Sequence, residues 1–345
     1  MPVAIYMSKA ELKFRMEWEH DIPICKRLYS SQNWRELRWK DIEKPVYKLQ
    51  KRSYKASSRG DVKAVRKLQK TLMRAWSSKC LAVRRVTQDN QGKKTAGVDG
   101  VKALSPEART DMVGQLKLTG RSKPTRRVWI PKPNGEKRPQ GIPTIFDRAL
   151  QALVKLALEP EWEAVFEPNS FGFRPGRECH DAVTAIFNAI RHKPKYVLDA
   201  DIAKCFDRIN HQKLLEKLNT FPTIRRQILA WLKAGVIDGK ELFPTTEVPP
   251  QGGVISPLLA NIALHGMEEL IKGLSETFDL TRSCGRYQLP KRDKRDAISV
   301  IRSADFRNSP RKPRSNSKMS GNNFRMVNWH KFRVQAKSNK NFAEF

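Results

Sequence analysis

Two short apolar runs that each end on a carboxylate constrain the fold more than any other feature of the chain. Tyr196-Val-Leu-Asp-Ala-Asp201 reads as a strand closing on Asp201, and Val300-Ile-Arg-Ser-Ala-Asp305 repeats the pattern far downstream. Strands of this kind lying side by side would bring two carboxylates to one end of a sheet, where they can hold a hard divalent cation. By itself Asp201 reads equally well as a helix cap or the start of a turn. Between the two runs lies Pro250-Gln-Gly-Gly-Val-Ile-Ser-Pro-Leu-Leu-Ala-Asn261. This is a glycine-hinged loop leading into a helix, with Ser256 the expected N-cap and Pro257 in the first turn.

Charge points to the partner. The 345 residues carry 67 Lys and Arg against 35 Asp and Glu, a formal charge of +32. Such an excess releases counterions from phosphate backbones and gives strong, salt-sensitive, weakly sequence-dependent binding to nucleic acid. An anionic membrane is the competing partner, but no apolar run approaches the roughly 20 residues of a spanning helix, and the N-terminus does not read as a signal peptide. The five cysteines are scattered without a Cys-x-x-Cys, and the six histidines form no ligand-spaced pair. Neither a disulfide framework nor a zinc site is expected, and a reducing cytoplasm is the simplest setting.

Along the chain, residues 1–59 mix Trp18, Trp34 and Trp39 with basic clusters and short helical patches, a basic helical arm without one sustained period. A clearer helix follows, capped by Asp61, with Val62, Val65, Leu68, Leu72, Met73 and Trp76 on one stripe and basic residues elsewhere. Thr95-Ala-Gly-Val-Asp-Gly100 is a turn-rich joint. The segment from Arg126 to Arg138 reads as strand, Pro-Asn-Gly turn and strand, projecting Lys132 and Arg138 from a hairpin. An Arg fork and a Lys point charge held on a stiff hairpin suit a triphosphate. An amphipathic helix is expected from Phe146 to Val165, and a second after Pro175 through Val183, Ile186, Phe187 and Ile190, both stripes facing the core. Arg174 and Arg177, around Pro175-Gly176, either grip phosphates or fix their loop.

With Phe171-Gly-Phe-Arg-Pro-Gly-Arg177 and Arg138-Pro-Gln-Gly-Ile-Pro143, these segments resemble the reverse transcriptases of group II introns, the intron-encoded maturases, over roughly residues 60 to 305. The resemblance implies an α+β fold of fingers and palm with an antiparallel palm sheet. It divides the chain into a helical arm (1–59), an N-terminal extension (60–120), an incomplete fingers-palm domain (121–306) and a disordered basic tail (307–345). It implies attack of a primer 3′-hydroxyl on a deoxynucleoside triphosphate, with two Mg²⁺ ions stabilising the attacking and leaving oxygens. Asp201, the Ile202 carbonyl and Asp305 would be the metal ligands, Asp201 and Asp305 being catalytic. Lys132, Arg138 and Gln251 would bind the nucleotide, with Phe206 beneath the sugar, a position that as a bland alternative is core. Arg126, Arg127, Arg174 and Arg177 would touch nucleic acid, and the partners would be intron RNA, primer-template and deoxynucleotide.

One departure stands out. Relatives of this kind carry Tyr-Ala-Asp-Asp and an apolar strand, whereas this chain reads Ser303-Ala-Asp-Phe306 and then a tail with ten Lys or Arg and one acid, Glu344. A reading-frame disruption near codon 303 accounts for that change, and it predicts impaired synthesis because a ligand is useful only when its hairpin holds it in place. A noncatalytic RNA-binding protein that assists intron folding is the second reading, and a reverse transcriptase of another bacterial retroelement the third.

Overall fold

The computed structural model describes residues 33–131, 135–190, 196–201, 209–239, 241–243, 252–269, 281–283 and 286–291. Lys132, Ile202, Phe206, Gln251, Asp305, Trp18 and the basic tail lie outside them, as do the whole run from Val300 to Asp305 and the segment around codon 303.

Among the described residues of the arm, Trp39–Ser58 form a long helix, α1, where the sequence suggested only patches. Its buried residues Ile42, Val46, Leu49, Ser53 and Ala56 recur every three or four positions, which is one face of a 3.6-residue helix. That period was masked because the face includes Ser53 and Ala56, which weigh little on a hydropathy scale. Trp34 is buried ahead of it, edge-on to Trp39 at 5.1 Å and donating its indole N–H to Gln88.

Helix α2 (Val62–Arg74) starts as its sequence predicts, the Asp61 carboxylate accepting from the Ala64 amide at 3.0 Å. Val65, Leu68, Leu72 and Met73 are buried, but Val62 is exposed and Trp76 opens the next helix, α3 (Trp76–Arg84). A π-turn, Arg85–Asp89, and a 3-10 turn, Gln91–Lys94, lead to α4 (Pro106–Gln115).

Helices α1, α2 and α3 and the π-turn pack around α5 (Ile145–Glu163), which is buried nearly all round, while α4 packs against α3. Gln50 and Ser57 of α1 donate to the carbonyls of Leu156 and Glu161, while Arg66 and Gln69 of α2 reach the Glu161 carboxylate at 2.8 and 2.7 Å. A charge so placed is compensated on both sides, as a poorly exposed carboxylate requires.

The hairpin forms as expected. Strand β1 (Thr125–Pro131) pairs antiparallel with β2 (Lys137–Ile142), so that Ile130 faces Arg138 and Arg126 faces Ile142. The chain continues through α5 and α6 (Cys179–Ile190) to β3 (Tyr196–Asp201). Helices α7 (His211–Leu218) and α8 (Pro222–Leu232) then lead to β4 (Val236–Asp238) and β5 (Glu241–Phe243), which extend the first sheet in the order β2-β1-β4-β5. After α9 (Ser256–Leu264), β6 (Thr281–Ser283) and β7 (Arg286–Lys291) join β3 in a second, antiparallel sheet ordered β3-β7-β6.

Two expectations are corrected. The α6 stripe is not core throughout: Val183 and Phe187 are 60% and 54% exposed, while Ala182 is completely buried. Helix α9 begins on Ser256 with Ile255 as its N-cap, one residue ahead of the expected position. No helix among the described residues is long and apolar enough to cross a membrane.

Candidate active site and nucleic-acid interface

The first turns of α5 gather the loops that the sequence singled out. Thr144 caps the helix, and three polar anchors follow within two turns, all buried: Asp147, Arg148 and Gln151. Each is spent on a different segment. Asp147 accepts from the Thr144 hydroxyl at 2.9 Å, the Trp231 indole at 3.2 Å and the Lys123 amide at 3.4 Å, so it ties the lead-in of β1 to α8. Burial pushes its carboxyl above the ordinary carboxylate value, and those hydrogen bonds pull the other way.

Arg148 donates to the carbonyls of Pro143 and Gly92 at 3.0 Å and to that of Thr95, fixing the approach to the Gly-Val-Asp-Gly joint. Gly97 in that joint must be glycine, because a Cβ there would lie 2.7 Å from the Thr144 Cα. Gln151 accepts from the Val254 amide at 2.7 Å and so holds the Gln-Gly-Gly loop. Gly252 of that loop has φ +119°, and a Cβ on it would meet the Gly141 carbonyl at 2.5 Å. Gly252 therefore lies against the base of the hairpin that carries Arg138. Two of the predicted nucleotide elements meet here, and Arg138 is exposed on β2.

Sequence reasoning missed all three anchors. It counted the apolar stripe of this helix and passed over the polar residues of its first turns. No local signal marked two of them: Arg148 and Gln151 share a helical stripe with Lys155 and Glu159 that reads as the solvent face of an amphipathic helix, and only tertiary packing buries them.

The Phe171–Arg177 loop is built inward. Arg174 is 7% exposed; its guanidinium forks onto Glu163 at 2.7–3.1 Å and donates to the carbonyls of Glu167 and Ser170 at 2.9 and 3.0 Å. The expectation that Arg174 grips phosphate is thus corrected, since its donors are engaged inside the protein. Arg177 stacks over Phe171 at 5.2 Å and donates to the carbonyls of Pro168 and Ser170. Asn261 of α9 closes the loop by donating to the Gly172 carbonyl at 2.8 Å. Phe173 is then displayed with φ 57°, a left-handed conformation costly for an aromatic residue, and is 58% exposed. Surrounding bonds over-determine the loop enough to hold it there.

On the first sheet, Arg127 lies between the rings of Trp129 and Phe243, 5.5 Å from each, with Asp238 at 3.9 Å. Trp129 and Phe243 remain 44% and 42% exposed. Arg126 turns back to the Ala96 carbonyl at 3.0 Å.

Asp201 closes β3, which pairs with β7 along its whole length, Asp201 opposite Arg286. A carboxylate at the end of a fully paired strand is the donor type a hard divalent cation takes. Asp201 is the one proposed ligand among the described residues, which hold no cluster of three His, Cys, Asp or Glu side chains arranged for a metal ion.

The pattern of the N-terminal domain of reverse transcriptase matches residues 34–116, and that of reverse transcriptase (RNA-dependent DNA polymerase) matches residues 130–287. This chain belongs to the reverse transcriptase family. Among its relatives, the group II intron-encoded protein LtrA of Lactococcus lactis subsp. cremoris is 38% identical over 200 residues, 55% of this chain and 33% of LtrA. Protein YkfC of Escherichia coli (strain K12) is 36% identical over 200 residues, 54% of this chain and 52% of YkfC. Maturase-like protein 1 of Euglena gracilis is 31% identical over 239 residues, 67% of this chain and 51% of that protein. The chain thus spans a third to about half of the length of these relatives.

Proposed function

We propose that this reverse transcriptase chain is the fingers and palm of an RNA-directed DNA polymerase of the group II intron kind. The observation that carries the reading is the contact of Gly252 with the Gly141 carbonyl, which sets the Gln-Gly-Gly loop against the basic hairpin. Reverse transcriptases act with divalent metal ions, and Mg²⁺ is the ion assigned here. Asp201, the Ile202 carbonyl and Asp305 would hold it, and bound there it would stabilise charge on the reacting oxygens.

The remaining roles belong to the chain itself. Arg138, with Lys132, would neutralise the triphosphate of the incoming deoxynucleotide, and Gln251 would line its pocket beside the hairpin. Phe206 beneath the sugar would exclude a 2′-hydroxyl by contact. Arg177, Arg126 and Arg127 border this region and would position the template backbone, Arg174 acting from within by fixing the loop.

Primer extension on an RNA template in Mg²⁺ tests the reading. Short deoxynucleotide additions that vanish in Asp201→Asn are expected, and the absence of any Asp201-dependent product would refute it. A second reading, a noncatalytic RNA-binding protein assisting intron splicing, is favoured by the basic helical arm and by the likeness to maturase-like protein 1. Splicing that survives Asp201→Asn but fails when the arm is neutralised would select it.

A further inference from the structure

The sequence suggests a second carboxylate on the strand beside β3, and the register places an arginine there instead. Strand β7 lies between β3 and β6, with Arg286 opposite Asp201 on one side and opposite Ser283 on the other. Successive residues of a strand alternate between its two faces, so opposed residues share a face with those two positions along. Asp201, Arg286 and Ser283 therefore share a face with Asp199, Gln288 and Thr281. Leu198, Leu289, Ala200 and Tyr287 fall on the other, together with Arg282 and Lys291. Both carboxylates of these strands thus belong to one face, and Arg286 is the one cation of the three strands that shares it.

We infer that Arg286 is the built-in counter-charge of Asp201: it competes with a divalent ion for that carboxylate and so sets how tightly this chain takes metal, an inference that rests on the reading of Asp201 as a metal ligand. Opposed residues of an antiparallel pair have Cβ atoms about 4.5–5.5 Å apart, within the span of an ion pair. A guanidinium engages a carboxylate through a fork of N–H donors, and it keeps its charge at every working pH, so no change of pH removes the competitor.

The opposition is built in rather than incidental. Strand β7 is the central strand, paired along β3 on one edge and with β6 on the other, so two ladders fix the register that sets Arg286 against Asp201. Asp199, on the same face, is opposite the neutral Gln288, and Ser283 and Thr281 of β6 add no charge. A hard cation brought to this face meets two carboxylates whose charge one guanidinium already halves, with a positive charge beside them.

The test titrates Mn²⁺, an oxygen-seeking ion with an electron paramagnetic resonance signal, into the full chain without primer or nucleotide. Arg286→Gln should tighten Mn²⁺ binding by about two- to fivefold, the worth of a cross-strand charge pair. Arg286→Glu should tighten it further, and Arg286→Lys, which keeps the charge, should bind as the wild type does. Adding Asp201→Asn to Arg286→Gln should abolish the gain. Urea midpoints without metal check folding, and Mn²⁺ should raise the midpoint of Arg286→Gln more than that of the wild type. Where the Gln variant does not fold, the contrast between Lys and Glu decides. Equal Mn²⁺ affinity in the wild type and the Gln, Glu and Lys variants would overturn the inference, and the reading of Asp201 as a ligand would stand if Asp201→Asn still weakened binding. Mn²⁺ binding indifferent to Asp201→Asn would overturn both.

Discussion

Arg174 offers the sharpest separation of a structural from a nucleic-acid role, because the motif that contains it invites the second and the geometry supports the first. Its side chain is 3% exposed and that of Glu163 15%. Arg174→Met leaves the Glu163 carboxylate without its fork, while the Glu167 and Ser170 carbonyls each lose one donor and keep the Ser170 amide and Arg177 respectively. Breaking a buried pair from one side costs about 3–5 kcal/mol, and the lower end applies here because Glu163 keeps some access to water. Arg174→Lys should lose about 1–3 kcal/mol, since a single ammonium cannot span the carboxylate and both carbonyls. Adding Glu163→Leu to Arg174→Met should recover part of the loss by removing the stranded charge, giving a non-additive double-mutant cycle. Urea unfolding followed by circular dichroism reads the midpoints, and anisotropy with labelled RNA reads the salt slope, which should not change. If Arg174→Met kept the wild-type midpoint while lowering that slope by about one unit, the inward assignment would be wrong and the side chain would be a phosphate ligand.

Other outcomes follow from the same geometry. Gly252→Ala should cost about 1–3 kcal/mol, because φ +119° is strained for alanine and its Cβ would be 2.5 Å from the Gly141 carbonyl. Gln151→Leu should speed hydrogen exchange at the Val254 amide by removing its acceptor, and an unchanged rate would show that the loop is held elsewhere. The raised carboxyl of Asp147 gives a signed pH effect. Its contribution to stability is fully present below the ordinary value of 3.8 and is lost as pH climbs through the higher native value, so Asp147→Asn should flatten that stretch of the stability curve. Burial pushes the Cys80 thiol far above its usual range while Cys179 is exposed, so native alkylation followed by peptide mapping should label Cys179 and spare Cys80.

Much of the molecule was legible where one strong local signal sufficed. The Asp61 cap, the apolar stripe of α5 and the pairing of the strands on either side of Pro-Asn-Gly needed no tertiary information. The failures have physical causes as well. The face of α1 escaped because Ser53 and Ala56 contribute packing without hydropathy. Val183 and Phe187 share a helical stripe, yet a stripe tells which residues sit together and not whether anything covers them. Arg174 was ambiguous because a guanidinium serves a phosphate and a carboxylate through the same fork, and only the position of Glu163, eleven residues upstream, decides between them.

The placing of the anchors on α5 explains why the motif residues are so far apart in sequence. A nucleotide site assembled from loops gains precision only when each loop is pinned to something rigid. Here the rigid element is a helix buried on every side. A buried helix has few positions where a polar group is tolerated, because each must find partners. Asp147, Arg148 and Gln151 meet that demand by bonding backbone groups of three segments: the lead-in to β1, the approach to the Gly-Val-Asp-Gly joint and the Gln-Gly-Gly loop. Burial thus makes the bonds compulsory, and the bonds fix the loops. A substitution at any of the three should therefore disturb a loop that is distant in sequence before it disturbs the helix itself, whose apolar residues Leu150, Leu153, Val154 and Leu158 keep it in place.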